Sequence, residues 1–236
     1  MDWIYRELSG ALLSDRIKIT DDDVSIINSL PNPPPVPVTA RDIHVRRCRL
    51  ACDAVDAGFG RFRTVDLPRL LELVQGAPAL IGHRKDTLGV ARFFGGEVTR
   101  DNATGVSYVV PKFYWMRLHS ASEDLRVNID GGIYNEASLG FTFRRPTCAI
   151  CGADIRRCEH VPGRLYDNEQ CYFYYDDIIK VMEGSFVYRG AQPGTGFMLN
   201  HPDCGDPMLT TLPRFKWSGV WYRGFPEKLM VNDIPV

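Results

Sequence analysis

The sequence predicts an α+β fold: a curved sheet or closed β-barrel core with flanking helices, a metal-binding knuckle and extended terminal arms. Three observations lead there. Segments with the two-residue period or the β-branched and aromatic composition of strands outnumber segments of helical period. Strand follows strand with only occasional helices between, so the regular strand–helix alternation of a doubly wound sheet is absent. No segment repeats at a period of about 20–50 residues, which removes solenoids and propellers. With 236 residues, 44% hydrophobic and 24% charged, the chain suits one large domain with appendages.

The elements follow in chain order. Residues 1–29 are weakly amphipathic, with an acidic patch at Asp21, Asp22 and Asp23, and lead into Leu30-Pro31-Asn32-Pro33-Pro34-Pro35-Val36-Pro37. Fixed φ and missing N–H groups make that stretch a stiff strap, so 1–39 reads as an N-terminal arm. Ile43, Val45 and Leu50 alternate in part with Arg46, Arg47 and Arg49, as in a half-buried strand. Asp66 before Leu67-Pro68, then Leu70, Leu71 and Val74 at helical spacing and Gly76 after them, predict a short helix. Residues 79–81 and 88–94 read as strands flanking a turn that carries His83, Arg84, Lys85 and Asp86. Residues 106–115 form one strand with an irregularity at Pro111, or two short ones. Ser120-Ala121-Ser122-Glu123 reads as a capping box, Leu125 and Ile129 share a face, and Gly131-Gly132 supplies the stop of a helix over 120–131. Residues 137–143 and 178–188 are further strands, which closes a core domain at 40–195. The tail, 196–236, is rich in Pro, Gly and aromatics, including Phe215, Trp217, Trp221, Tyr222 and Phe225, and is expected to pack on its own domain or a neighbouring subunit.

Charge and cysteine usage exclude several classes. Lys and Arg number 28 against 29 Asp and Glu, for a net charge of −1, so no bulk field draws the chain to nucleic acid or membrane. No apolar run approaches the roughly 18–20 residues of a membrane span, and the opening Met1-Asp2-Trp3-Ile4-Tyr5-Arg6 lacks the basic and apolar regions of a signal peptide. A soluble, intracellularly made protein is expected. Seven cysteines, at 48, 52, 148, 151, 158, 171 and 204, suit a reducing compartment and a metal site with bystander thiols better than a disulfide framework.

The densest chemical signal is Cys148-Ala149-Ile150-Cys151-Gly152 followed by Cys158-Glu159-His160. A Cys-x-x-Cys turn with glycine next converges two thiolates on one ion, and a Cys-x-His pair completes a tetrahedron. Cys148, Cys151, Cys158 and His160 are thus the candidate ligands of a structural zinc in a knuckle spanning 145–163, since four protein ligands leave no open position for water. The alternative is a Cys148–Cys151 redox pair beside an unrelated His160. Cys48, Cys52, Cys171 and Cys204 read as packing residues, and His44, His119 and His201 show no evident role. His83 ends an apolar strand, where an imidazole can be presented at a sheet edge, and Ser138 is a short polar residue inside an apolar strand. Taken residue by residue, each is open to a purely structural reading.

The order of these segments resembles that of the prohead (capsid maturation) proteases of tailed phages, in particular those with a zinc knuckle after the serine strand. The likeness runs over about 40–195. It is carried by the His-bearing strand pair at 80–90, Asp130-Gly131-Gly132-Ile133 leading into Glu136-Ala137-Ser138-Leu139-Gly140-Phe141, the knuckle, and Val181-Met182-Glu183-Gly184-Ser185-Phe186-Val187 as a final core strand. The resemblance, which extends to the herpesvirus assemblins, implies a serine endopeptidase on a helix-flanked β-barrel. Ser138 would be the nucleophile, His83 the general base and Glu183 the carboxylate that orients it. Gly184 stands where a β-branched residue is usual, which predicts a local bulge; Glu136, Asp86 and Asp177 are the alternative acids. Oxyanion donors are sought among the amides around Gly140 or after Phe143, with Arg144 and Arg145 as nearby positive charge. The implied partners are phage scaffold and capsid proteins, in an oligomer or particle, in the host cytoplasm, the immature head or the virion, with no specific nucleic acid and no membrane. The competing expectation is a non-catalytic head, neck or tail component built on the same fold.

Overall fold

The computed structural model describes residues 4–13 and 18–187, together with the strand backbone at 214–217 and 220–223; side chains are described for 18–187. Residues 1–198 form one compact unit and 199–236 another. The first unit runs β1 (Ile4–Leu13), α1 (Asp21–Asn28), β2 (Ile43–Cys48), β3 (Ala51–Cys52), β4 (Gly60–Arg61), α2 (Leu67–Val74), β5 (Pro78–Ile81), β6 (Ala91–Arg100), β7 (Ser107–Met116), α3 (Ser122–Asp130), β8 (Glu136–Cys148), β9 (Leu165–Tyr166), β10 (Glu169–Gln170) and β11 (Phe173–Val187). In the second, β12 (Arg214–Trp217) and β13 (Val220–Arg223) pair as an antiparallel hairpin. The packing expected of the tail, and Phe225, His201 and Cys204, lie outside the described residues.

The class is α+β, with a mixed sheet and few helices. Strands are ordered β2-β1-β8-β11-β5-β6-β7-β3, and β2 also pairs with β7. Most neighbours are antiparallel, but β5 and β4 run parallel to β11. That parallel contact sets Gly184, Ser185 and Phe186 beside Ala79, Leu80 and Ile81, so the chain leaving β5 passes over the end of β11. β8 lies between β1 and β11, with Ser138 opposite Ser9 on one side and Ser185 on the other.

Period-two alternation divides β8 into two faces. Ala137, Leu139, Phe141 and Phe143 enter the main core with Phe62, Phe113, Tyr175 and Phe186, while Glu136, Ser138, Gly140 and Thr142 face the other way. In β11, Phe186 enters that core and Gly184 lies against it: a Cβ there would stand 2.5 Å from the Phe93 ring and 3.2 Å from Leu50. Glu183 and Ser185 therefore share the face of Ser138.

The segment expected as an arm does not stand apart. β1 pairs with β8 over eight residues, and Ile27 and Leu30 are buried with Phe94 and Tyr114. The proline strap is tied down as well: the Asn28 side chain exchanges two hydrogen bonds with the Val38 backbone, at 2.9 and 3.0 Å, and Arg92 donates to the Pro31 and Asn32 carbonyls. Pro111 does not divide β7. Its missing N–H falls opposite a bulge in β6, where Gly95 and Gly96 have positive φ and a Cβ on Gly96 would collide with the Val110 carbonyl and Pro111. Helix α3 lacks the expected capping box. It begins at Ser122, Ala121 is its cap residue, and Glu123 bonds Arg126. The reciprocal box instead caps α1, between Thr20 and Asp23.

Candidate active site and metal centre

His83 lies just beyond β5, in a turn whose Gly82 and His83 both have positive φ, 64° and 57°. For histidine that is a sparsely populated backbone, held only when its surroundings over-determine it. The Gly82 amide donates to the Phe186 carbonyl at 2.8 Å, and the His83 amide donates to Ser185 Oγ at 3.2 Å. So anchored, the imidazole spans the two strands. Its Nε2 is 2.7 Å from Ser138 Oγ and its Nδ1 is 2.8 Å from Glu183 Oε1. In the tautomer that donates Nδ1–H to the carboxylate, Nε2 accepts the Ser138 hydroxyl proton. Glu183 and Ser138 are buried, and the His83 side chain retains 16% exposure.

The three residues expected as a triad are thus brought together, with the carboxylate on the far side of the imidazole from the serine. Of the alternative acids, Asp86 pairs with Arg84, Asp177 lies on the surface of β11, and Glu136 stands half-buried two residues before Ser138 on β8; the acid at His83 Nδ1 is Glu183. The bulge expected near Gly184 occurs just before it, where the register shifts between Val181 and Glu183, and the carboxylate still reaches the ring. The missing β-carbon at Gly184 is explained by the Phe93 ring that packs there. The groups expected around an oxyanion are held within the sheet or stand far from Ser138. Gly140 stands between Glu7 of β1 and Glu183 of β11, which leaves no open edge for a substrate oxygen. Arg144 and Arg145, six and seven residues along β8 from Ser138, lie roughly 20 Å away at strand spacing, and Arg145 donates to Gly152 of the knuckle.

A cleft of about 910 Å³ is lined chiefly by apolar groups including Pro34, Ile81, Leu88, Met116, Trp115 and Tyr134, and none of Ser138, His83, Glu183 and Ser185 is among its lining. Ile81, which pairs with the core residue Phe186, is the lining residue that precedes Gly82 and His83 in the chain.

The second constellation begins where β8 ends. Cys148 Sγ, Cys151 Sγ, Cys158 Sγ and a ring nitrogen of His160 all lie within 4.8 Å of one another and can hold one metal ion. The turn is built as the Cys-x-x-Cys-Gly spacing predicts: the Gly152 amide closes on the Cys148 carbonyl at 2.9 Å, with Gly152 at φ 72°. All the described cysteines carry free thiols, so Cys148 and Cys151 are not a disulfide. Burial pushes the Cys148 thiol up, but hydrogen bonds from the Cys151 and Ile150 amides and the neighbouring thiols outweigh it and hold it below the ordinary range. Cys158 is pushed up by burial and by the thiols of Cys148 and Cys151. His160 Nδ1 is buried with no hydrogen-bond partner, a donor atom that a cation would satisfy, and its ring stands edge-on to Tyr166.

Two residues passed over in the sequence belong to these sites. Cys171, expected to be a packing residue, is buried against the cluster, and its thiol is pushed up to about 11 by burial and by Cys148. Its distance along the chain from Cys158 matches no ligand spacing, so no local signal marks it. Ser185 touches both Glu183 and the His83 backbone; its signal is a hydroxyl two residues after the acid, on the same strand face. His44 and His119 serve locally, stacking on Trp115 and accepting from the Ala121 amide. Comparison with protein-family models, curated proteins and solved structures found no match to this chain.

Proposed function

We propose that this chain is a serine endopeptidase of the phage prohead maturation type, cleaving scaffold and capsid precursor peptides with Ser138, His83 and Glu183. The observation that carries the reading is the unbroken chain Ser138 Oγ, His83 Nε2, His83 Nδ1, Glu183 Oε1, with contacts of 2.7 and 2.8 Å. A serine hydroxyl is a weak nucleophile at neutral pH unless a positioned base takes its proton. As Ser138 Oγ bonds to the scissile carbonyl carbon, its proton passes to His83 Nε2, and Glu183 stabilises the imidazolium. Collapse of the tetrahedral adduct breaks the C–N bond, and the leaving amine takes that proton. Water, deprotonated by His83 in turn, bonds to the acyl carbon, and as the ester C–O bond breaks His83 returns the proton to Ser138 Oγ.

Two further parts of the reading concern the scaffold. Zinc is the ion proposed for Cys148, Cys151, Cys158 and His160, supported by the orphaned His160 nitrogen and a thiol-rich donor set, with a structural role because the ligands fill a tetrahedron. A closed barrel is proposed for the core, supported by β2 pairing with both β1 and β7. The protein would work in the host cytoplasm, inside the immature head, as an oligomer or particle component.

The test is covalent labelling with a fluorophosphonate, which reports an activated serine without knowledge of the substrate, combined with co-expression with capsid and scaffold precursors. The wild-type chain should label at Ser138 and cut the precursors, and Ser138→Ala should do neither while remaining folded. A folded wild-type chain that neither labels nor cuts would transfer the assignment to a non-catalytic virion component.

A further inference from the structure

We infer that Ser185 is a positioning residue that acts on two members of the triad at once, an inference that rests on the peptidase reading above. Its hydroxyl is 1% exposed at residue level and makes two directed contacts. It accepts the His83 amide at 3.2 Å, and it donates to Glu183 Oε2 at 2.6 Å. The direction of each bond follows from chemistry, because an amide only donates and an ionised carboxylate only accepts, so the single hydroxyl proton is committed to Glu183. The carboxylate is held at both oxygens, by the imidazole at Oε1 and by Ser185 at Oε2, which fixes its plane as well as its position.

The other contact acts on the base. His83 occupies a left-handed backbone that a non-glycine residue adopts only under constraint, and the amide bond to Ser185 is part of that constraint. One hydroxyl therefore ties the strained turn that presents the imidazole to the acid that orients it. The placement is a consequence of register. Ser185 pairs with Ser138 on one side and Leu80 on the other, so it lies on the nucleophile's face and directly under the chain that leaves β5 for His83. A serine retained merely to fill the strand would need neither bond.

The experiment compares Ser185→Ala, which removes the hydroxyl, with Ser185→Cys, which keeps the volume but offers a weak donor, and Ser185→Thr, which restores the hydroxyl. Two readouts are taken on the full chain: the rate of Ser138 labelling by a fluorophosphonate, and the far-downfield proton resonance of the His83 Nδ1–H bonded to Glu183. Ala and Cys should slow labelling by about tenfold or more and shift or abolish the resonance, and Thr should recover most of both. If Ala or Cys labels within twofold of wild type and leaves the resonance unmoved, the inference is overturned. If the wild-type chain does not label at all, the peptidase reading fails separately, and the resonance alone decides: unchanged in folded Ala or Cys variants, it overturns the positioning role.

Discussion

Around Ser138, each side-chain polar atom of the three-residue chain finds a partner inside the protein, whereas around Cys148 a buried imidazole nitrogen has none. The serine site is assembled from strands whose opposite faces fill the main core, so apolar burial holds it without any ligand. The knuckle has no buried residue between Cys148 and Cys171. Its loop gains little from the hydrophobic effect beyond Ile155 against the main core, and on the zinc reading it would draw the rest of its order from the ion. The difference separates a site that is preorganised by the sheet from one whose donor set a bound ion would complete.

The sharpest way to break that contrast is to remove a ligand. Cys151→Ser should cost the zinc site a large part of a binding energy of about 10 kcal/mol or more, with metal content by elemental analysis falling far below that of the wild type and protease cutting within 145–165. Labelling of Ser138 should stay within about threefold; a collapse of labelling would show that the two sites are one unit. Next in size is Glu183→Gln, which keeps the shape but removes the charge that stabilises the imidazolium. Labelling or peptide turnover should fall by up to about 10⁴-fold, with zinc content unchanged.

Asp23→Ala tests whether the N-terminal segment belongs with the sheet. Burial pushes this carboxyl up, but Lys112, at 2.7 Å, and the Thr20 bonds outweigh it and hold it below its ordinary value. The substitution should cost about 3 kcal/mol by denaturant unfolding, from a buried ion pair and a helix cap together. Because Asp23 titrates lower in the folded chain than in the unfolded one, its stabilisation is present at neutral pH and is lost as pH falls through the aspartate range. Wild type should therefore lose more stability on acidification than the variant. The smallest effect is expected of Gly184→Ala, whose new methyl meets the Phe93 ring and should cost about 1–3 kcal/mol of overpacking, with slower Ser138 labelling because Glu183 is its neighbour.

The two regions were also unequally legible. The knuckle's four ligands stand within 13 residues, and their spacing alone announces a common centre. Ser138, His83 and Glu183 are 55 and 100 residues apart in their two contacts, and only the order of motifs in a resemblance set them side by side. From its own segment, Ser138 reads better as a serine satisfied in a strand. Helix α2 was legible because Pro68, the Leu and Val spacing and Gly76 are local physics. β1 was not, since its partner lies more than 120 residues away and a ladder leaves no mark on either sequence. The capping box went to the wrong helix because Ser120 and Glu123 satisfy the pattern, while the chain starts α3 two residues later. Cys171 was invisible for the same reason as β1, since what it touches is set by the folding of a distant loop, whereas Ser185 carried only its position two residues after the acid, and its contact with His83 is set by register.

The parallel contact between β5 and β11 has a consequence in time. His83 and Glu183 are 100 residues apart, and Glu183 reaches its partner only when Gly184, Ser185 and Phe186 add to the edge of β5. At about 5–20 residues per second, a ribosome takes several seconds or more to travel from one to the other. Over the second part of that interval, once Ser138 has been added, the histidine and the serine are both made, yet the acid and the hydroxyl that steadies it are still unsynthesised. Non-local parallel pairing is also among the slower steps of folding. On the peptidase reading, the triad would thus be complete only once β11 has joined β5.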